Sequence, residues 1–175
     1  GFLITPSGKK YSSLKVKDIV FVSLNGKYEK KYKPSSEWRF HQDIYIKKRD
    51  AQAIVHTHST NATALSVHKK PIPAFHYMVA LAGGNDIKCA KYATYGTREL
   101  SKNILKALNN RKACLIANHG QIAFDSNLPD AFELAQEVEN LSLQYITALK
   151  LGKPKNLSDK EMNKVLKKAK NYKRD

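Results

Sequence analysis

The stretch Ala51-Gln52-Ala53-Ile54-Val55-His56-Thr57-His58-Ser59-Thr60 reads as a short buried strand that ends in two histidines and gives way to a helix. Side chains two apart on a strand share a face, so His56 and His58 point the same way. Two imidazoles so placed can converge on one ion at about 2.0–2.1 Å, or they can be two structural histidines. The pair alone leaves both readings open. A second apolar run, Ala113 to Ala117, leads into Asn118-His119-Gly120, where Gly120 suits a tight turn. A second strand-end histidine favours the metal, with His119 as third ligand and one position left for a reacting molecule.

Working outward, Gly1 to Ile4 and Ile19 to Leu24 are expected to be strands, and Asn25-Gly26 is a hairpin signal between Leu24 and Tyr28. Pro34-Ser35-Ser36 opens a helix to about Lys48, with a serine available as its cap. Further helices are expected over 59–67, briefly near 76–82, over 97–108, and from Asn127 to Gly152. Gln121 to Phe124 is the hairpin partner of the 113–117 strand. Ser158 with Glu161 forms a capping box for a last helix. These elements predict an α/β fold: one layered domain spanning residues 1–175, with a largely antiparallel central sheet flanked by helices.

The net charge of +16 raises the question of a nucleic-acid or membrane partner. The excess is dispersed lysine, and the lysine-rich tail alternates with Met162, Val165, Leu166 and Ala169 near helical spacing. That is a solvated helix face, so neither nucleic acid nor membrane is expected; an anionic small molecule fits better. There is no apolar run long enough for a transmembrane helix. Cys89 and Cys114 lack CxxC spacing and read as reduced thiols of a cytoplasmic protein.

Glu37, in Pro34-Ser35-Ser36-Glu37-Trp38, is either an acid favoured by the helix dipole or a general base. Ser35 and Ser36 in the same turn, and Ser7-Gly8 in Thr5-Pro6-Ser7-Gly8, offer hydroxyls and backbone N–H groups to a phosphate. Tyr77 is either a packed aromatic or a proton donor to a developing alkoxide. An amidohydrolase also uses two strand-end histidines, but it needs a barrel of about 250 residues.

Seven segments resemble the class II aldolase/adducin family, in family order over nearly the whole chain. They are LITPSG, KPSSEWRFHQDIY, AIVHTHST, IPAFHYMVALAGG, KYATYGTREL, NRKACLIANHG and LAQEVENLSLQYITAL. The resemblance implies Zn2+ held by His56, His58 and His119, one ion per subunit, with Glu37 as acid/base beside it. It implies Ser7, Gly8, Ser35 and Ser36 at the substrate phosphate. It implies Tyr77 as a catalytic tyrosine reaching a neighbouring subunit's site in a homotetramer, and Tyr172 as a contact from the tail. The implied reaction is reversible cleavage of a ketose 1-phosphate to dihydroxyacetone phosphate and an aldehyde through an enediolate. Sugar-phosphate epimerases, dehydratases and decarboxylases of the family share that chemistry. A non-catalytic adducin-like scaffold would be expected to lose the metal histidines, whereas all three stand here. The family's N-terminal helix and Gly-Asn loop are missing before Gly1, and Ser7 stands where threonine is usual. The expected explanation is a chain whose N-terminal part is not included.

Overall fold

The computed structural model describes the backbone of residues 1–172 and the side chains of residues 1–169. A four-stranded sheet lies at the centre, in the order β3-β6-β5-β4. Strand β3 (Ala53–Thr57) runs antiparallel to β6 (Gly120–Asp125), which is antiparallel to β5 (Ala113–Ile116). The edge strand β4 (Cys89–Ala90) pairs parallel with β5. The sheet is therefore largely antiparallel, as its hairpin signals predict.

Alternation along the strands builds two cores. Ala113 and Leu115 of β5 and Ala123 of β6 face α2 (Thr60–Ser66), α4 (Leu128–Lys150) and α5 (Asp159–Tyr172), through Ala62, Leu65, Leu134, Val138, Leu141 and Met162. Cys114, Ile116, Ile122 and Phe124 point the other way, onto Phe40 and Ile44 of α1 (Trp38–Lys47) and Leu100 and Ile104 of α3 (Arg98–Ala107). Helices cover both faces. A two-stranded sheet, β1 (Phe2–Ile4) antiparallel to β2 (Val20–Val22), packs Phe2, Ile4, Val20 and Val22 against Trp38 and Tyr45.

The long helix starts as its sequence predicts: the Asn127 side chain accepts the Asp130 N–H at 2.9 Å, and Pro129 occupies the first turn. Three expectations need correction. Asn25-Gly26 does turn, with the Gly26 N–H bonded to Ser23 O at 2.8 Å. No second strand follows, because 27–33 (KYEKKYK) offers no apolar face; β2 pairs instead with β1. Helix α1 begins at Trp38, not at Pro34, since Pro34 is held in an antiparallel bridge to Pro6. The short helix expected near 76–82 does form, as a 3₁₀ helix over Tyr77–Ala82. Only half of the last capping box forms: Ser158 Oγ accepts the Glu161 N–H, while the Glu161 carboxylate turns to Lys164. Cys89 and Cys114 are free thiols, and burial pushes both upward, Cys89 to about 11. No helix among the described residues is long and apolar enough to cross a membrane.

Candidate functional site

Strand β3 delivers His56 at its last turns, and the register pairs His56 with Ile122 and Thr57 with Gln121. His58 follows directly, just before α2. His119 sits in the three-residue turn that joins β5 to β6. Asn118 supplies the left-handed conformation of that turn, with φ 55°. Gly120 has a different task from the one its turn position suggests. A Cβ there would lie 2.4 Å from Thr57 O and 3.1 Å from the His58 ring, so glycine lets β6 run hard against the His58 strand end.

These placements bring the three imidazoles together. Their ring centroids are 4.8–5.0 Å apart, and one nitrogen of each lies within 4.8 Å of the others. His56 Nδ1 is 2.7 Å from the Gln121 carbonyl oxygen. A carbonyl only accepts, so Nδ1 carries the proton and Nε2 turns its lone pair into the cluster. His56 Nε2 is 3.2 Å from His58 Nε2. Burial pushes His56 down to about 3, against the Gln121 bond, with the neighbouring histidines adding to the fall; burial also lowers His119.

Glu37, immediately before α1, is 8% exposed. Its Oε2 lies 3.4 Å from His119 Nε2 and 3.9 Å from His56 Nε2. Neither carboxylate oxygen completes a hydrogen bond within the protein. Desolvation raises the carboxyl above its ordinary value, and the nearby Gly96 backbone N–H opposes that weakly without closing a well-formed bond. The cluster thus sets converging imidazole nitrogens, open to solvent on the His58 side, beside a buried carboxylate that closes no hydrogen bond within the protein. Such a set suits a cation, and three nitrogen donors with an open side suit a metal that binds a reactant. Three convergent histidines are the one group among the described residues arranged to hold a metal.

The two turns expected to take a phosphate lie side by side. Ser7 N–H bonds Lys33 O and Ser35 N–H bonds Thr5 O, both at 2.9 Å. Ser35 Oγ accepts the Glu37 N–H at 3.2 Å, which ties this turn to the carboxylate beside the histidines. Gly8, at φ 73°, and Ser36 are exposed, and no hydrogen bond within the described residues uses their N–H groups. Tyr77 does not join the cluster within one chain. It stands 55% exposed at the head of its 3₁₀ helix, with its ring 4.8 Å from that of His76. The Tyr172 side chain lies outside the described residues.

Residues that sequence reading passed over hold this arrangement in place. Gln121, 1% exposed, fixes His56 through its carbonyl, while its side-chain Nε2 donates to Ser59 Oγ and Ala135 O, each at 2.9 Å. Gly96, at φ 73°, brings its loop onto the Glu37 segment, and Arg39 Nε donates to its carbonyl at 3.4 Å. Ser66 Oγ accepts the His119 N–H at 3.3 Å. A backbone acceptor carries no residue-type signature, so Gln121 gave none.

Comparison with known proteins finds clear relatives of this chain. A family model described as "Class II Aldolase and Adducin N-terminal domain" matches residues 1–146. The chain is 51% identical over 172 residues to a Rhodospirillum rubrum protein named 5-methylthioribulose-1-phosphate/5-deoxyribulose-1-phosphate aldolase, covering 98% of this chain and 78% of that protein. It is 52% identical over 173 residues to an Escherichia coli protein named L-fuculose phosphate aldolase, covering 98% of this chain and 80% of that one. A solved L-fuculose 1-phosphate aldolase superposes with a TM-score of 0.92 at 44% identity, over 96% of this chain and 79% of its own.

Proposed function

The chain belongs to the class II aldolase and adducin family, and on that premise we propose that it is a zinc-dependent aldolase cleaving a ketose 1-phosphate to dihydroxyacetone phosphate and an aldehyde. One observation carries the reading: three imidazoles converge beside a buried carboxylate that closes no hydrogen bond within the protein. His56, His58 and His119 would hold the zinc. When bound, it supplies a Lewis acid for the negative charge of the enediolate.

The chain's own groups do the rest. The paired turns carrying Ser7, Gly8, Ser35 and Ser36 receive the phosphate with hydroxyls and free N–H groups, and the net positive charge draws the anion in. In the condensing direction, Glu37 Oε2 takes the proton from the hydroxymethyl carbon of dihydroxyacetone phosphate. That carbon then attacks the aldehyde, and the Tyr77 hydroxyl gives its proton to the aldehyde oxygen. Cleavage runs the same steps in reverse. Tyr77 is exposed and apart from its own chain's cluster, which fits service to a neighbouring subunit's site in a homotetramer.

The narrower substrate we favour is L-fuculose 1-phosphate, which leaves L-lactaldehyde. A second reading is favoured by the R. rubrum relative: a 5-deoxy- or 5-methylthio-pentulose 1-phosphate. Both share the phosphate and carbonyl half and differ only in the aldehyde half. Comparing kcat/KM for L-fuculose 1-phosphate and 5-deoxyribulose 1-phosphate, with dihydroxyacetone phosphate trapped by a coupled assay, decides between them. The aldolase reading itself is tested by His58→Ala, which should lose both bound zinc and cleavage. Full cleavage by that variant without metal would end it.

A further inference from the structure

Helix α4 carries a carboxylate, Glu139, that docks the first turn of α2, the helix that follows His58. Glu139 Oε1 accepts both the backbone N–H and the side-chain amide of Asn61, and Oε2 accepts the Ala62 N–H, all at 2.8 Å. These are orphan donors of the first turn of α2, which a local side chain ordinarily takes. Ser59, the residue in the capping position, makes no such bond. Its hydroxyl oxygen accepts from Gln121 Nε2 at 2.9 Å, and its O–H turns to the Glu139 carboxylate.

Helix α2 has a site histidine at each end. His58 immediately precedes Ser59. At the other end Ser66, fully buried, accepts the Asn118 N–H at its carbonyl and the His119 N–H at its hydroxyl, both at 3.3 Å. The helix is therefore a spacer between two imidazole-bearing turns, and Glu139 is the group that docks it to α4.

We propose that Glu139 is a positioning residue: by fixing α2 it sets the separation of His58 and His119. The inference rests on the metal reading given above. Both oxygens of Glu139 face only donors, so a carboxylate fits where an amide would set its NH2 against an N–H. Burial alone would raise this carboxyl; the bonds from Asn61, Ala62 and Ser59 outweigh that and hold it below its ordinary value. It stays ionised and keeps its acceptors.

The test measures zinc affinity of the metal-free full chain by competition with a chromophoric chelator. Glu139→Gln should weaken zinc by about 10–100-fold, the usual effect of removing support behind a metal ligand. Glu139→Asp, which keeps the charge but shortens the reach, should fall between it and the wild type. Asn127→Ala is the control: it strips the cap of α4 at the far end of β6. It should lower the unfolding midpoint and leave zinc affinity alone. Equal zinc affinity in wild type and Glu139→Gln overturns the proposal, as does an equal loss in Asn127→Ala. If Glu139→Gln does not fold, Glu139→Asp decides in its place, and unchanged affinity there is equally fatal. A wild-type chain that binds no zinc ends the metal reading and this inference with it, whereas the other failures leave that reading standing.

Discussion

Glu37 Oε2 stands 3.4 Å from His119 Nε2 while neither of its oxygens is hydrogen-bonded within the protein. Burial lowers the imidazole and raises the carboxyl, each toward its neutral form, and so works against an ion pair here. A buried carboxylate left in that position is costly in stability and useful in chemistry. Replacing Glu37 with Gln keeps the shape and removes the base. Cleavage should fall by about 10²–10⁴-fold, the usual share of a positioned acid/base group. Zinc content, set by the three histidines, should hold. Loss of zinc in step with activity would instead make Glu37 a ligand only.

Gly120 is a steric requirement of the same site. A Cβ 2.4 Å from Thr57 O and 3.1 Å from the His58 ring forces β6 away from the strand end that carries His56 and His58. Gly120→Ala should cost about 1–3 kcal/mol in urea unfolding of the metal-free protein, the range for overpacking. It should also weaken zinc, because the Gln121 carbonyl that orients His56 moves with β6. A variant with wild-type stability and zinc affinity would show that the strands part without cost.

Much of this site was legible before the fold was known, for physical reasons. His56 and His58 announce themselves by strand alternation, and His119 by its place after an apolar run. The rest had no such signal. The two-residue strand β4 is too short to show any period. Gln121 acts on His56 through a backbone atom that every residue has. Glu139 meets Asn61 from 78 positions away, and only packing brings them together. The Asn25-Gly26 turn was readable, but its strand partner depends on β1, which lies before it in the chain.

Tyr77 provides a test of sharing between subunits. The described chain leaves it exposed and without contact to its own cluster. If it serves a neighbour, Tyr77→Phe and His58→Ala damage different halves of one site. Each variant alone should be nearly inactive. Unfolding and refolding them together should restore activity through mixed oligomers in which one interface is intact. The check is the coupled cleavage assay on the refolded mixture, with sedimentation on the same sample. No recovery from a mixture that does form oligomers would place both residues in one chain's site.

His41 makes a prediction about pH that does not depend on metal. It lies on α1 with its ring stacked on Phe40, centroids 5.0 Å apart. Burial holds it down to about 4 from an ordinary 6.5. The proton therefore binds the unfolded chain first as pH falls. This contribution to stability is complete above pH 6.5, declines between 6.5 and about 4, and is gone below that. At 1.36 kcal/mol per unit the whole fall is on the order of 3 kcal/mol. His56, lowered to about 3, adds a slope of the same sign in the metal-free protein. Replacing His41 with Phe keeps a ring against Phe40 and removes the titration. Urea unfolding of the metal-free chain from pH 7.5 to 4.5 should then show a slope shallower by about one proton than the wild type. Equal slopes in the two proteins would mean that His41 is hydrated in the folded state and carries no part of the acid sensitivity.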